Sequence, residues 1–131
     1  KDFQQTVIVK KLVDITPLTT EVCVVPIKRE PGGLAMSSRN VRLSDNGRKK
    51  AAFINESLMR IKNSFKEVGI PKSVDMAKSY IEEFEHAELD YLIIVGVDTL
   101  KETEQHQNQK IIALIALDYE GVRLLDNRIL N

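Results

Sequence analysis

Apolar side chains that recur every three or four residues predict two helices in the first half of the chain. The first helix covers residues 2–14 and is followed by threonines and a proline that interrupt the pattern. The second is one long helix that starts at Ser44 or Asp45, either of which can cap a helix. It ends at Gly69, because glycine accepts a left-handed backbone, and Pro71 prevents its continuation.

The remaining apolar runs predict one more helix and four short strands. Ser73 is the expected cap of this helix, which ends near Ala87. Short, continuously apolar runs are typical of strands covered on both faces, and they occupy residues 22–25, 91–97, 111–117 and 122–125. Gly121, in the polar turn before the last run, predicts that the last two strands form an antiparallel hairpin.

These elements predict an α+β fold for most of the chain. Residues 44–131 are expected to form two helices packed on a small three-stranded antiparallel sheet, and residues 27–43 a loop and hinge. Residues 1–26 supply a helix plus a strand, which is half of a βαβ unit and cannot bury its own apolar faces. We therefore expect them to belong to a larger α/β domain whose earlier part is absent from this chain.

Length and charge narrow the class of protein. A chain of 131 residues has room for about one domain with its own core. Its 19 basic and 19 acidic side chains cancel, so no long-range attraction to nucleic acid or to an anionic membrane is expected. No apolar run approaches the roughly 20 residues that span a bilayer. The start at Lys1, without a methionine, predicts a fragment of a longer protein.

The single cysteine, Cys23, excludes an internal disulfide and any zinc site built from several cysteines. A reducing, cytoplasmic setting fits this composition best. Since Cys23 lies in a predicted buried strand, its thiol is expected to be inert rather than catalytic.

Residues 33–40 form a glycine-led polar stretch that suits an anion such as phosphate. Ser37 and Ser38 offer hydroxyl donors, and Arg39 supplies a fixed positive charge. The glycine permits close approach and loop motion. The alternative is a solvated loop in which these three residues occur by chance, and physical chemistry alone favours that alternative.

The first residues of the chain are a second candidate. Lys1 is suited to a phosphate, Asp2 to a ribose hydroxyl, and Gln5 to a substrate hydroxyl or carboxylate. The alternative is an ordinary polar helix start, with Asp2 favourable near the helix N-terminus. On these residues alone the alternative is preferred.

Two acidic stretches are weaker candidates, for metal binding. The run 82–88 contains four glutamates and His86 but is typical of a solvated helix face. Glu102, Glu104 and His106 alternate in a polar loop without supporting ligands. We therefore expect no metal site in this chain. Residues 123, 126 and 127, after the last turn, are expected to pair or cap the chain end.

Three stretches in combination resemble the pantothenate synthetase family, whose members are also called pantoate–β-alanine ligases. They are Lys-Asp-Phe-Gln-Gln at residues 1–5, Gly-Leu-Ala-Met-Ser-Ser-Arg-Asn at 33–40 and Gly-Val-Arg-Leu-Leu-Asp-Asn at 121–127. The Met-Ser-Ser-Arg segment is the most specific of these. The resemblance covers essentially the whole chain.

The resemblance implies a domain organisation and a reaction. Residues 1–26 would be the C-terminal remnant of a Rossmann-like ATP-binding domain, 27–43 the signature loop and hinge, and 44–131 the C-terminal lid domain. The family activates pantoate with ATP and Mg²⁺ to give pantoyl adenylate and pyrophosphate. The amine of β-alanine then attacks the acyl carbon, which releases AMP and pantothenate. No tightly bound cofactor is implied.

The resemblance also implies roles for individual residues. Ser37, Ser38 and Arg39, together with Met36, match the loop that lies over the ATP phosphates and stabilises the charge of the transition state. The other matches are Lys1 with phosphate, Asp2 with ribose, the backbone of Lys28 with adenine, and Gln5 with pantoate.

Activity of the chain by itself is not expected. The family's His-x-Gly-His phosphate motif is missing from this sequence, whose two histidines are His86 and His106. A dimer or larger assembly is expected; in the family, dimers form through the N-terminal domain. Two alternatives stay open: a nucleotide- or phosphate-binding lid of another adenylate-forming enzyme, and a non-catalytic interaction domain.

Overall fold

The computed structural model describes residues 1–131 and contains four α-helices, one short 3₁₀ helix and three strands. In chain order they are α1 (Phe3–Asp14), the 3₁₀ helix (Ser38–Arg42), α2 (Asp45–Lys50), α3 (Phe53–Val68), α4 (Ile70–Glu82), β1 (Ala87–Gly96), β2 (Ile111–Tyr119) and β3 (Val122–Ile129). None of the helices has the length and apolar composition needed to cross a lipid bilayer.

The three strands form one antiparallel sheet in the order β1-β2-β3. Tyr119 pairs with Val122 across a tight turn in which Glu120 and Gly121 adopt φ values of 52° and 72°. These left-handed values explain the glycine, and the predicted hairpin is confirmed. Strand β2 is buried along nearly its whole length because both of its faces are covered.

Helices α3 and α4 cover one face of the sheet. The apolar stripe of α3 is fully buried, as its three- and four-residue spacing predicts: Ile54, Leu58, Ile61 and Phe65 are at most 1% exposed. Burial of each such side chain stabilises the fold by about 1.5–3 kcal/mol relative to exposure. Two helices packed on a small three-stranded antiparallel sheet, as predicted for residues 44–131, are therefore present.

The start of the first helix contacts the opposite face of the sheet. Phe3 packs against a second cluster formed by Val95, Ile112 and Leu114. The hydroxyl of Tyr91 donates a hydrogen bond of 3.4 Å to Oε1 of Gln4. The start of α1 therefore rests on the sheet, while no residue of the helix is buried.

The long helix predicted from Ser44 to Gly69 is two helices. Ser44 caps α2, as predicted, but the chain tightens at Ala51, whose carbonyl accepts from the amide of Ile54 at 3.2 Å. This turn redirects the chain, so that α2 lies beside the β2–β3 turn while α3 packs on the sheet. The residue that links α2 to that turn is Glu120, whose carboxylate accepts from the amide and hydroxyl of Ser44 at 2.9 Å each.

The predicted ends of the following elements need correction. Gly69 adopts φ 83° and ends α3, as expected, but α4 begins at Ile70 rather than at Ser73. Pro71 is compatible with a first helical turn, because the missing amide hydrogen has no partner there. Ser73 lies inside α4, where its buried hydroxyl donates to the carbonyl of Ile70 at 2.8 Å. Helix α4 ends at Glu82, before the predicted end near Ala87, and β1 begins at Ala87, ahead of the predicted strand start at Tyr91.

The predicted strand at residues 22–25 is wrong. This segment is irregular, and Val24 and Val25 are 56% and 80% exposed. Cys23, expected to be buried, is exposed as well. A strand needs a neighbour to satisfy its backbone groups, and nothing in this chain pairs with the segment. The expected helix plus strand is therefore a helix followed by an unpaired irregular stretch.

Removal of the Arg29 side-chain charge is the first test of this fold. Asp126 on β3 is 3% exposed and accepts two hydrogen bonds from the Arg29 guanidinium, at 2.6 and 3.0 Å. Arg29→Met leaves a buried carboxylate without its cation and should lower the free energy of unfolding by about 3 kcal/mol in urea titrations. Arg48→Met, which breaks an exposed ion pair with Glu30, is the control and should cost less than about 1 kcal/mol. Equal losses would contradict this assignment.

Self-association of the chain is the second test. Large apolar side chains on α1 are exposed, among them Ile8, Val9 and Leu12. Exposed apolar patches favour association, so light scattering of a concentrated solution should detect a dimer or larger species. Leu12→Lys should shift this equilibrium toward the monomer. A chain that stays monomeric at high concentration before substitution would refute the expectation.

Candidate functional site

A short turn leads into the candidate phosphate-binding stretch, and its two arms, residues 28–30 and 34–36, are joined by backbone hydrogen bonds. The amide of Met36 donates to the carbonyl of Lys28 at 2.9 Å, and the amide of Glu30 donates to Leu34 at 2.8 Å. Gly33 adopts φ 97° at the tip. The structure therefore places the backbone of Lys28 directly beside that of Met36.

The arm that contains Arg29 is attached to the sheet. Besides its two bonds to Asp126, the Arg29 guanidinium donates to the carbonyl of Gly33 at 3.0 Å. A side chain at Gly33 would meet Nδ2 of Asn55 at 2.8 Å, so glycine is needed here for space as well as for its backbone angle. The sequence predicts a structural pairing role for Asp126, and its partner in the structure is Arg29.

We call residues 36–39 the strip. The hydroxyl oxygen of Ser37 accepts from the amide of Arg39 at 3.2 Å and caps the 3₁₀ helix. Ser38 and Arg39 are exposed. The guanidinium of Arg39 donates to the carbonyl of Arg123 at 3.3 Å and forms no ion pair with a carboxylate. The strip therefore presents a fixed cation whose charge is not neutralised within the chain.

The positive charge of Arg39 acts on the ammonium group of Lys1. Burial lowers the pKa of Lys1 below the ordinary lysine value, and the positive charge of Arg39 lowers it further, while Asp126 and Asp2 act in the opposite direction. The carbonyl of Lys1 accepts from the side chain of Asn127 at 2.5 Å. Lys1 and Arg39, which are far apart in the sequence, thus both contact β3, and an anion held by both would be stabilised by both charges.

Asp2 and Gln5 lie at the start of α1. Oδ1 of Asp2 accepts from the amide of Gln5 at 3.1 Å, so the Asp2 side chain caps the helix. Gln5 shares an open cleft of about 300 Å³ with Lys1, and the irregular segment 22–25 forms its opposite wall. Gln5 is therefore available to a ligand, whereas Asp2 already has a structural hydrogen bond.

A hydrogen-bonded chain behind the strip was not predicted. Asn40 is 1% exposed, and its Nδ2 donates to the carbonyl of Ala35 at 3.2 Å and to Oε1 of Glu30 at 2.7 Å. Arg48 holds the same carboxylate through bonds of 2.8 and 3.0 Å. Hydrogen bonds from Arg48 and then Asn40 lower the pKa of Glu30. No spacing rule connects residues 10 and 18 positions apart in a loop, so the sequence carried no signal for these contacts.

The remaining candidates do not join this site. Arg123 pairs with Asp90 on β1. His106 packs edge-on against the ring of Phe65, with ring centroids 5.3 Å apart. The structure brings no three histidine, cysteine, aspartate or glutamate side chains together in a geometry that would hold a metal ion.

Comparison with known proteins gives a consistent family. The sequence model of the family described as Pantoate-beta-alanine ligase matches residues 1–129. The pantothenate synthetase of Cytophaga hutchinsonii is 40% identical over 133 residues, which cover 99% of this chain and 47% of that protein. The pantothenate synthetase of Christiangramia forsetii is 39% identical over 132 residues, with 100% and 47% covered.

Solved structures agree with the sequence relatives. The pantoate–beta-alanine ligase of Thermus thermophilus superposes with a TM-score of 0.92 at 30% identity and covers 99% of this chain and 47% of its own. The ligase of Francisella tularensis, complexed with beta-gamma ATP and beta-alanine, has a TM-score of 0.63 at 29% identity and covers 98% and 41%. The chain spans about half the length of the curated relatives, 47% in the first of them. Since the family model matches almost every residue, the chain belongs to the pantoate–beta-alanine ligase family.

Proposed function

We propose that this chain is the C-terminal part of an ATP-dependent ligase that forms pantothenate from pantoate and β-alanine. The pantoate carboxylate attacks the α-phosphorus of ATP, used as its Mg²⁺ complex, and expels pyrophosphate to leave pantoyl adenylate. The amine of β-alanine then attacks the acyl carbon and displaces AMP. The names of the relatives and the ligands of the Francisella tularensis structure support this reaction.

The convergence of Lys1 and Arg39 is the observation that carries the proposal. Both residues contact β3, Arg39 through the carbonyl of Arg123 and Lys1 through the side chain of Asn127, and neither has an ion-pair partner. Burial and then the charge of Arg39 lower the pKa of Lys1. Two like charges held together favour a bound anion, because the anion removes their mutual repulsion. The triphosphate of ATP is a polyanion and would supply this negative charge.

The strip supplies the electrostatic part of the chemistry. Negative charge accumulates on the departing pyrophosphate as the α-phosphorus is attacked, and fixed donors aimed at that charge accelerate the reaction. Arg39 supplies a guanidinium, and Ser37 and Ser38 supply hydroxyls. We assign the backbone of Lys28 to adenine. Met36, with the rest of the strip, is assigned to the ATP phosphates.

The first turn of α1 holds the other reactant. Gln5 borders the cleft beside Lys1 and is assigned to pantoate. Asp2 is assigned to the ribose; one of its carboxylate oxygens caps α1, and the other is left to accept from a hydroxyl.

The domain organisation follows the same proposal. Residues 1–26 form the remnant of a Rossmann-like ATP-binding domain, residues 27–43 the loop and hinge, and residues 44–131 the lid. The exposed apolar side chains of Val24, Val25 and α1 support this division, since a larger domain would cover them.

Activity of the isolated chain tests the proposal that half of the site lies elsewhere. With ATP, Mg²⁺, pantoate and β-alanine, the 131-residue chain should release no AMP above background in a coupled assay. The full-length ligase that contains the chain serves as the positive control. Turnover by the isolated chain at a rate similar to that of the full-length enzyme would refute this part of the proposal.

Substitution of the strip tests its role in adenylate formation. In the full-length ligase, the combined change of Ser37, Ser38 and Arg39 to alanine should lower pantoate-dependent ATP–pyrophosphate exchange by at least about 100-fold, because donors to the developing charge are lost. Arg42→Ala is the matched control, since Arg42 is exposed on the same 3₁₀ helix and forms no hydrogen bond through its side chain. Retention of full exchange activity by the triple variant would exclude the strip from catalysis.

A further inference from the structure

One side chain closes the strip into a loop. The side chain of Asn40, which follows Arg39 directly, reaches back to the carbonyl of Ala35, the residue before the strip, at 3.2 Å. Its backbone amide donates to the carbonyl of Ser37 at 3.1 Å. The two ends of the strip are therefore joined through Asn40, which is 1% exposed and cannot swing into solvent without unpacking.

The closing side chain is held in turn by Glu30. The carboxylate accepts from Nδ2 of Asn40 at 2.7 Å and from Arg48 of α2 at 2.8 and 3.0 Å. Glu30 follows Arg29, which is bound to β3. A continuous series of polar contacts thus runs from the sheet and α2 to the end of the strip.

The polarity of this contact is specific. Both hydrogen-bonding positions around Nδ2 of Asn40 are oxygens, one carboxylate and one carbonyl. Oδ1 of the same side chain is buried without a partner. Aspartate has the same shape as asparagine but no donor, and it would place a second negative charge against Glu30. The site therefore requires the amide of Asn40 as a donor and not only its volume.

We propose that Asn40 and Glu30 are positioning residues whose mutual hydrogen bond holds the strip in the geometry that binds the triphosphate during adenylate formation. This inference rests on the proposed function. Neither residue touches the nucleotide; each acts through Ser37, Ser38 and Arg39. Small displacements of binding groups cost large factors in rate, about 100-fold for a shift of roughly 1 Å. Loss of the contact should therefore be visible in the first half-reaction.

The test compares the two half-reactions in the full-length ligase. Asn40→Asp should lower kcat of pantoate-dependent ATP–pyrophosphate exchange by at least about tenfold. The reaction of preformed pantoyl adenylate with β-alanine should stay within about twofold of the parent enzyme, because it forms no pyrophosphate. Lys49→Met, a neighbour of Arg48 whose side chain forms no hydrogen bond or ion pair, is the matched control and should change neither rate. An equal loss in both half-reactions would indicate a merely structural role and overturn the proposal.

A reversal of polarity tests the contact itself. Glu30→Gln keeps an acceptor for Asn40 and should retain exchange within about threefold, whereas in the double variant with Asn40→Asp the new amide can donate to the new carboxylate. The double variant should recover at least about fivefold over Asn40→Asp, which measures direct coupling between the two positions. The proposal would be overturned if the exchange activity of the double variant were no higher than the product of the two single-variant activities, each relative to the parent enzyme.

Two further variants keep the outcomes distinguishable. If Asn40→Asp does not fold by circular dichroism, Glu30→Ala replaces it, since Glu30 lies at the surface end of the contact, and the same split between half-reactions is expected. Arg39→Ala separates this inference from the proposed function. If Arg39→Ala keeps full exchange activity, the proposed role of the strip fails; if it loses exchange while Asn40→Asp and Glu30→Ala retain it, only the positioning role fails.

Discussion

A buried carboxylate on the last strand determines where the loop that leads into the strip lies. Asp126 is almost fully buried on β3, and a buried carboxylate is tolerated only when its charge and hydrogen bonds are satisfied. Arg29 satisfies both with a two-point contact and also binds the carbonyl of Gly33. The arm before the strip is therefore attached to the sheet, and the glycine at its tip is held against Asn55.

The attachment leaves the cations of the site free. Arg29 is paired with Asp126, and Arg48 is paired with Glu30. Lys1 and Arg39 have no carboxylate partner. The two arginines that hold the loop are thus neutralised by carboxylates, whereas Lys1, which lines the cleft, and Arg39 of the strip are not. This separation is what a site for a polyanion needs, because a charge already paired within the protein contributes little to binding a ligand.

Prediction from sequence succeeded where a single element determines the outcome. The stripe of α3, the end of that helix at Gly69 and the turn at Gly121 depend on local spacing and backbone angles, and all three are confirmed. It failed where a neighbour decides. Residues 22–25 have the composition of a strand, but no strand pairs with them. Ser73 is a residue type that often caps helices, but it is buried inside α4. The strip was singled out from its residue types and the family resemblance, whereas the Asn40–Glu30 contact behind it was not predicted.

The sequence by itself determined most of the helices and strands and the family resemblance, and it marked residues suited to phosphate, since periodicity, turn residues and short motifs are local properties of the chain. Only the tertiary structure decided which charges are free and which are paired. Arg29 and Asp126 are 97 positions apart, and no sequence pattern around either residue predicts that they pair. Long-range contacts of this kind arise from how the helices and strands pack, and for that reason the pairing became visible only in the folded chain.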